Sequence, residues 1–269
     1  MPKKPPPRLY KYQPFNAQTL TNLTRAIIWF SAPINVNDPY DCTGWVVEPE
    51  NISERELQLL SESFAGINPA MAAQTPLDQL RAHFIASAHK AYAERRIIQR
   101  EQRGIACLSA TVTDITMWSH YANGHRGLCL EFNTSRRPFS EAREVSYVDT
   151  PPVINPVDVL INPPSVDESD ELLKKIVCTK ARCWSNEQEW RMMHEEASKE
   201  FGYGTGPLTG IYLGSEMLPA HKDIIGRVTL GEGIQLYAMV RDTRSFTLRP
   251  EAVTYTLPTV GGGPRTRKE

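Results

Sequence analysis

The chain has 269 residues, of which 41% are hydrophobic and 23% are charged, a composition typical of water-soluble globular proteins. Its 30 lysines and arginines balance 31 aspartates and glutamates, which excludes a polycation that coats nucleic acid or an anionic membrane. No apolar run is long enough to span a bilayer, and the N-terminus lacks the apolar segment of a secretory signal. The five cysteines form no dense framework, so we expect reduced thiols, no disulfide and a cytoplasmic protein.

The N-terminal part of the chain predicts an arm followed by alternating short elements. Residues 1–8 hold four prolines and three cations and are expected to form a flexible arm. A strand is predicted at 9–12, and Asn16 can cap a short helix that ends near Arg25. The apolar run 27–30 predicts a buried strand of the main sheet.

The segment from about 50 to 103 predicts a helical insertion. A weak helix is expected over 53–65, and a stronger one runs from Pro76 to about Gln102. In the stronger helix, Leu77, Leu80 and Phe84 are spaced three and four residues apart, which places them on one apolar face. We expect this insertion to pack outside the sheet.

The second half of the chain is rich in predicted strands. Short helices are expected over 113–122 and 168–181. Strands are predicted at 105–109, 128–132, 144–148, 210–213, 227–230, 235–240 and 245–248, with another after Trp190. Because strands and helices do not alternate regularly, the sequence favours the α+β class over a doubly wound fold. We expect one domain over 9–260, built on a single curved mixed or antiparallel sheet with peripheral helices, and a flexible basic tail at 261–269.

The strongest chemical signal is the segment WSNEQEWRMM at 184–193. Glu187 and Glu189 are two residues apart, so on a strand both carboxylates lie on one face. Such a pair can stabilise a developing cation or activate a nucleophile, and Arg191 on the same face can hold Glu189 by a charge-assisted hydrogen bond. The alternative is a solvated strand face with Trp184 and Trp190 packed beneath it.

Two further groups of residues are candidates for binding. Trp118, His120, Tyr121 and His125 can combine stacking rings with a ligand-orienting histidine, or they can be core aromatics beside a hydrogen-bonded histidine. In the stretch 37–41, which begins with the candidate binding residue Asn37, Asp38 and Asp41 are turn formers or, together with Glu131 or Glu187, ligands of a nuclease-type metal site. The spacing of Cys178 and Cys183 does not match a zinc site, and no metal is expected.

Several motifs together resemble one family, the domain of unknown function 2971 family. They are LYKY at 9–12, IWFSAP with NDPYD at 28–41, CLS at 107–109, MWSHYANGHRGLCLEF at 117–132, the K…W..E.EWR pattern at 180–191 and IYLG at 211–214. The resemblance covers most of the chain in the expected order. It implies a bacterial or phage-associated accessory protein, with an effector, toxin or phage-defence setting.

The chain also resembles ADP-ribosyltransferase-like folds. Those proteins carry an aromatic or basic motif on a first strand, then a strand that ends in serine, and a late glutamate, and Arg8 or Tyr10, Ser31 and Glu189 stand here in that order. The resemblance implies an enzyme that uses NAD as substrate, a transferase or glycohydrolase. Glu189 is then the catalytic carboxylate with Glu187 as helper, while Tyr10 and Tyr121 frame the nicotinamide and His120 orients the ribose.

These interpretations combine into one hypothesis for the site. We expect one pocket built from both halves of the chain, by Tyr10, Asn37, Asp38, Trp118, His120, Tyr121, His125, Glu187, Glu189 and Arg191. A modified macromolecule, protein or nucleic acid, is left open. The alternatives are a metal-dependent nuclease around Asp38 and Glu131, and a non-enzymatic module that binds a nucleotide or peptide.

Overall fold

The computed structural model describes residues 3–43, 45–46, 52–154, 161 and 166–257. It confirms the α+β class. The main feature is a mixed sheet of eight strands in the order β14-β13-β12-β5-β1-β4-β10-β6. Most neighbouring pairs in it are antiparallel, but β12 and β13 run parallel.

Short strands and helices follow one another along the chain. The strands are β1 Arg8–Gln13, β2 Ile27–Phe30, β3 Trp45–Val46, β4 Gly104–Ser109, β5 Leu128–Asn133, β6 Arg143–Glu144, β7 Ser146–Val148, β8 Val153–Ile154, β9 Thr179–Ala181, β10 Glu189–His194, β11 Lys199–Gly202, β12 Leu208–Leu213, β13 Gln235–Arg241 and β14 Leu248–Val253. The α-helices are α1 Ala17–Thr24, α2 Glu54–Ile67, α3 Pro69–Gln74, α4 Leu77–Ile97, α5 Ile115–Tyr121, α6 Val166–Val177 and α7 Pro219–Thr229.

The chain divides into two compact units, each made of three segments. Unit 1 comprises Met1–Pro5, Ile28–Cys107 and Ser140–Phe201, and unit 2 comprises Pro6–Ile27, Leu108–Phe139 and Gly202–Glu269. The single domain predicted over 9–260 stays a prediction, and the predicted tail at 261–269 lies outside the described residues.

Unit 1 contains the helical insertion. Helix α2 begins with a capping box, in which the Ser53 hydroxyl accepts from the backbone N–H of Glu56 and the Glu56 carboxylate accepts from the backbone N–H of Ser53. Leu57 and Leu60 of α2 pack with Leu80 and Phe84 of α4 in one buried cluster. The predicted helical character of this segment is therefore confirmed, although α3 separates its two longer helices.

Unit 2 is built on β1, β5 and the strands that follow residue 207. Helix α5, capped by the Asp114 carboxylate, packs Met117 and Trp118 into a buried cluster with Tyr12, Cys129 and Tyr212. The turn before β5 depends on glycine, since a Cβ on Gly127 would lie 2.2 Å from the Gln13 carbonyl oxygen. Two carbonyl groups of the predicted N-terminal arm, on Pro6 and Pro7, accept hydrogen bonds from Thr134.

The structure corrects three strand predictions. The run 27–30 is a strand, but β2 pairs with β11 in a separate two-stranded sheet. Residues 227–230 lie at the end of α7, where Pro219 occupies the first turn and Arg227 pairs with Asp223 one turn earlier. Residues 245–247 belong to a turn, because the Asp242 carboxylate accepts from the backbone N–H groups of Arg244 and Ser245.

All five cysteines are free, as predicted. Cys129 is fully buried, and its burial raises the pKa of its thiol well above the ordinary value. Cys107 is only half-buried, although it lies on a strand of the main sheet. None of the described helices is both long and apolar enough to cross a bilayer.

Candidate functional site

A row of residues, all of them in unit 2, crosses the four neighbouring strands β4, β1, β5 and β12. The backbone register pairs Tyr10 of β1 with Ser109 of β4 on one side and with Glu131 of β5 on the other. Glu131 in turn pairs with Gly210 of β12. Because residues directly opposite each other point to the same face of a sheet, Ser109, Tyr10 and Glu131 share one face.

A β-bulge in β12 aims a hydroxyl group at Glu131. The register shifts between Leu208 and Gly210, which leaves Thr209 as the extra residue. The Thr209 hydroxyl donates to Glu131 Oε1 at 2.7 Å. Bulges often re-aim a side chain next to a functional site, and this one supplies a donor to a carboxylate that is only 3% exposed.

Three tyrosines surround the same carboxylate. The Tyr212 hydroxyl donates to Glu131 Oε2 at 2.6 Å. The Tyr10 ring meets Tyr212 edge to face at 5.8 Å, and the Tyr237 ring stacks on Tyr212 at 4.5 Å. Tyr10 and Tyr237 are only partly buried, so this tyrosine frame reaches the protein surface.

The tyrosine hydroxyl groups remain protonated donors. Burial, followed by the hydrogen bond to Glu131, raises the pKa of Tyr212. Burial and the negative charge of Glu131 likewise raise the pKa of Tyr10. Tyr10 and Tyr212 therefore act as neutral neighbours of Glu131.

The charge of Glu131 is only weakly compensated by Arg8. Their ion pair spans 3.6 Å, and the Arg8 side chain is 62% exposed to water. Thr209 and Tyr212 donate to this buried carboxylate but carry no charge, and Arg8 is the one cation that pairs with it among the described residues. Such a carboxylate favours a positively charged ligand, because a further cation reduces the cost of burial. Aromatic rings beside it add attraction for a cation or a planar ring.

Helix α5 places the predicted aromatic and histidine residues in unit 2. Trp118 is fully buried and donates through its indole N–H to the Val112 carbonyl, so its ring belongs to the core and not to a ligand. Tyr121 is half-buried against the same cluster, while His120 is exposed. His125 Nε2 lies 3.2 Å from the Ser119 hydroxyl, and burial lowers the pKa of His125.

The predicted late carboxylates lie in unit 1, inside a buried ion-pair network. Arg191 is fully buried and donates through Nε to Glu189 Oε1 at 2.7 Å, which confirms the predicted contact. The same guanidinium makes two hydrogen bonds to Asp41. It also donates to the carbonyl oxygen of Val177.

Lys180 links both glutamates of this network. Its Nζ lies 2.5 Å from Glu187 Oε2 and 3.3 Å from Glu189 Oε2, so the two carboxylates do converge. The Trp184 ring lies 5.0 Å from the same ammonium group and supplies a cation–π contact.

Glu189 is only 4% exposed, so the alternative of a solvated strand face does not hold for this residue. Burial alone would raise its pKa, yet the charges of Arg191 and Lys180 outweigh burial and lower the pKa of Glu189 to about 2. The tertiary structure thus adds a second cation, Lys180, to the Arg191 contact that the spacing predicts, and Glu189 stays ionised and saturated with donors.

The remaining predicted residues have structural partners in unit 1. The Asp38 carboxylate accepts from the backbone N–H of Tyr40, as expected of a turn former, and Asn37 lies in the same turn. Ser31 pairs with Ile105 through two backbone hydrogen bonds. Within the described ranges, no three His, Cys, Asp or Glu side chains are placed to hold a metal ion together.

The predicted residues therefore fall into two groups. Unit 2 holds Tyr10, Trp118, His120, Tyr121 and His125, and unit 1 holds Asn37, Asp38, Glu187, Glu189 and Arg191. Their convergence on one pocket stays a prediction. Sequence reasoning missed Thr209 and Tyr212 as partners of Glu131, and Tyr237 as the ring stacked on Tyr212, although Tyr212 lies within the IYLG motif.

Comparison with known proteins gives one family. Residues 117–192 match the DUF2971 family, described as a protein of unknown function. This segment begins in α5 and ends in β10, so it includes Glu131 of unit 2 and the Glu187–Glu189–Arg191 group of unit 1. No curated protein and no solved structure matches the chain at a significant level.

Proposed function

We propose that this chain, which matches the DUF2971 family over residues 117–192, binds NAD or a related nucleotide with a cationic ring at Glu131 and cleaves it. One observation carries the proposal. A carboxylate that is 3% exposed, oriented by a β-bulge, lies within a frame of tyrosines that reaches the surface. The proposal keeps the predicted substrate class and Tyr10, but it moves the central carboxylate from Glu189 to Glu131.

The charge of the Glu131 carboxylate and the ring faces of the tyrosines both favour the binding of NAD. The nicotinamide ring of NAD is planar and positively charged, so it is attracted both by the Glu131 carboxylate and by the faces of Tyr10 and Tyr237. Glu131 is already oriented by Thr209 and Tyr212, and holding a carboxylate in place before the ligand arrives reduces the cost of ordering it.

The same geometry suits cleavage of the bond between nicotinamide and ribose. When this bond breaks, nicotinamide leaves with the bonding electron pair and positive charge develops on the ribose. A fixed carboxylate beside the ribose stabilises that charge. Water or a nucleophile of a target macromolecule then bonds to the ribose carbon and releases its proton to solvent. A glycohydrolase uses water, and a transferase uses the macromolecule.

Glu189 is the weaker candidate for this role. Its oxygens already accept from Arg191 and Lys180, so a developing cation would compete with two buried positive charges. Its predicted catalytic role stays a prediction, and the variants Glu131→Gln and Glu189→Gln separate the two glutamates.

The direct test measures NAD binding and nicotinamide release by the full-length protein. NAD should raise the melting midpoint, because a ligand that binds only the folded state stabilises it. Glu131→Gln should lower nicotinamide release by at least about a hundredfold, the scale of losing one major electrostatic contact. Glu189→Gln should retain release in the fraction that folds.

A matched control is Glu232→Gln, which alters an exposed glutamate of unit 2 and should leave binding and release unchanged. Expression in bacterial cells tests the effector setting, where the parent chain should be toxic and Glu131→Gln should not. A melting shift without nicotinamide release would favour the non-enzymatic nucleotide-binding module. No shift with NAD, in a parent protein that is well folded, would refute the proposal.

A further inference from the structure

A groove of about 870 Å³ runs between α2 and α4 of unit 1. Its lining residues come from a different segment of the chain than the Glu131 group. Its floor is formed by Leu57 and Leu80, which also belong to the buried cluster of the helical insertion. One wall carries the small residues Ser61 and Ala65, and the other carries Leu77, which is 63% exposed. An apolar floor with an exposed leucine at its edge is a surface that water covers poorly.

The charges that line the groove are mostly negative. Glu54 and Glu62 lie along the α2 wall, and both side chains are exposed. The guanidinium of Arg81 also lines the groove, but its Nη1 donates to the backbone carbonyl of Ile52 at 2.6 Å. The Ser61 hydroxyl donates to the Leu57 carbonyl and is turned back onto its own helix. Among the described residues, an occupant therefore meets an apolar floor, two carboxylates on the α2 wall and the single Arg81 guanidinium, which is held at the Ile52 carbonyl.

We propose that this groove binds a basic amphipathic helix of a partner protein. Helix-in-groove binding places the apolar face of such a helix on an apolar floor, and lysines or arginines on its flanks face the acidic wall. Apolar burial supplies the affinity, and the two carboxylates set the orientation and the choice of partner.

The spacing of the carboxylates defines the partner further. Glu54 and Glu62 are eight residues apart on one helix, which at 1.5 Å per residue is about 12 Å along its axis. Two cations about two helical turns apart on the partner match this distance. Gln58, midway between them, donates to Glu62 Oε1 and holds that carboxylate on the wall.

The experiment uses the full chain and a labelled synthetic helix with leucines on one face and lysines flanking it. Its binding is measured by fluorescence anisotropy at low and high salt. A peptide with the same leucines but glutamates in place of the lysines is the charge control. The lysine peptide should bind, and the double change Glu54→Gln with Glu62→Gln should weaken it by about fivefold at low salt, the scale of two exposed ion pairs.

Two variants test the location. Ala65→Trp fills the groove and should abolish binding, with folding checked by circular dichroism and the melting midpoint. Glu94→Gln changes an exposed glutamate of α4 outside the groove lining and should have no effect. Should Ala65→Trp fail to fold, Leu77→Gln at the exposed rim provides the same test.

Three outcomes would overturn the inference. They are equal binding of the glutamate peptide, binding that survives Ala65→Trp, and self-association of the parent chain through the groove in sedimentation experiments. The last result would identify the occupant as a second copy of this chain.

Discussion

Arg191 and Asp41 are 150 residues apart in the chain and form a two-pronged ion pair at the centre of unit 1. The guanidinium donates from Nη1 to Asp41 Oδ1 at 2.8 Å and from Nη2 to Asp41 Oδ2 at 2.6 Å, with both side chains almost fully buried. This ion pair connects the turn 37–41 to strand β10. The NDPYD segment supplies the carboxylate of this pair, and the EWR segment supplies the cation.

Arg191→Lys should destabilise the protein strongly. Lysine keeps the charge, but it cannot make the forked contact to Asp41 and Glu189 together, so buried carboxylates lose partners. We expect a loss of about 3 kcal/mol in the free energy of unfolding, the scale for breaking a buried ion pair. Urea denaturation measures it. Arg182→Lys, in an exposed pair with Asp149, is the matched control and should cost less than about 1 kcal/mol. If both variants lost the same free energy of unfolding, the buried pair of Arg191 and Asp41 would contribute no more to stability than an exposed pair does.

Stability should fall in acid because of Glu189. Its pKa is about 2 in the folded protein and 4.5 ordinarily, so the unfolded chain binds a proton at a higher pH than the folded chain does. The contribution of Glu189 is therefore present above about pH 4.5 and is lost as the pH falls toward about 2. Urea midpoints across this interval measure the slope. Glu189→Gln should reduce this dependence of stability on pH, and the exposed change Glu232→Gln should leave it unchanged. If stability depends on pH in the same way in the parent and in Glu189→Gln, this glutamate is not the source of the acid sensitivity.

Tyr212→Phe separates orientation of Glu131 from packing of the ring. The change keeps the stacking with Tyr237 but removes the donor to Glu131 Oε2. We expect a loss of about 1–3 kcal/mol in stability, typical of a buried group left without its partner, and a smaller melting shift with NAD. Tyr237→Phe keeps the ring and alters only a hydroxyl at the edge of the frame, so its NAD shift should match that of the parent. An unchanged NAD shift in Tyr212→Phe would separate Tyr212 from the ligand.

The cysteines should differ in reactivity according to their burial. Cys183 is exposed and should be alkylated first in the native protein. Cys178 should react slowly, because burial raises the pKa of its thiol to about 11. Cys42 and Cys129 should react only after unfolding, since burial raises the pKa of both thiols further. Mass spectrometry of timed samples follows each site, and Cys183→Ser should remove the rapid phase. Rapid native labelling of Cys129 would contradict this assignment.

Local sequence patterns were sufficient to predict contacts and elements whose interacting residues are close together in the sequence. The caps at Asn16 and Asp114 are predictable, because a side chain that accepts from a backbone N–H two or three residues later needs nothing beyond its own segment. The strands β1, β4 and β5 are predictable for a similar reason, since an apolar or alternating run favours an extended backbone by itself. The contact between Glu189 and Arg191 followed from their spacing of two residues on a strand.

Only the tertiary structure decided which groups surround each buried carboxylate. The donors to Glu131 are Thr209 and Tyr212, which are 78 and 81 residues away in the chain. Arg191, which donates to Glu189, also donates to Asp41, which is 150 residues away in the chain. A glutamate has the same chemical structure whether water, tyrosines or an arginine surrounds its carboxylate. Its burial and its partners are fixed by strand register and by the packing of distant segments, and these long-range choices leave no periodic signal in the sequence.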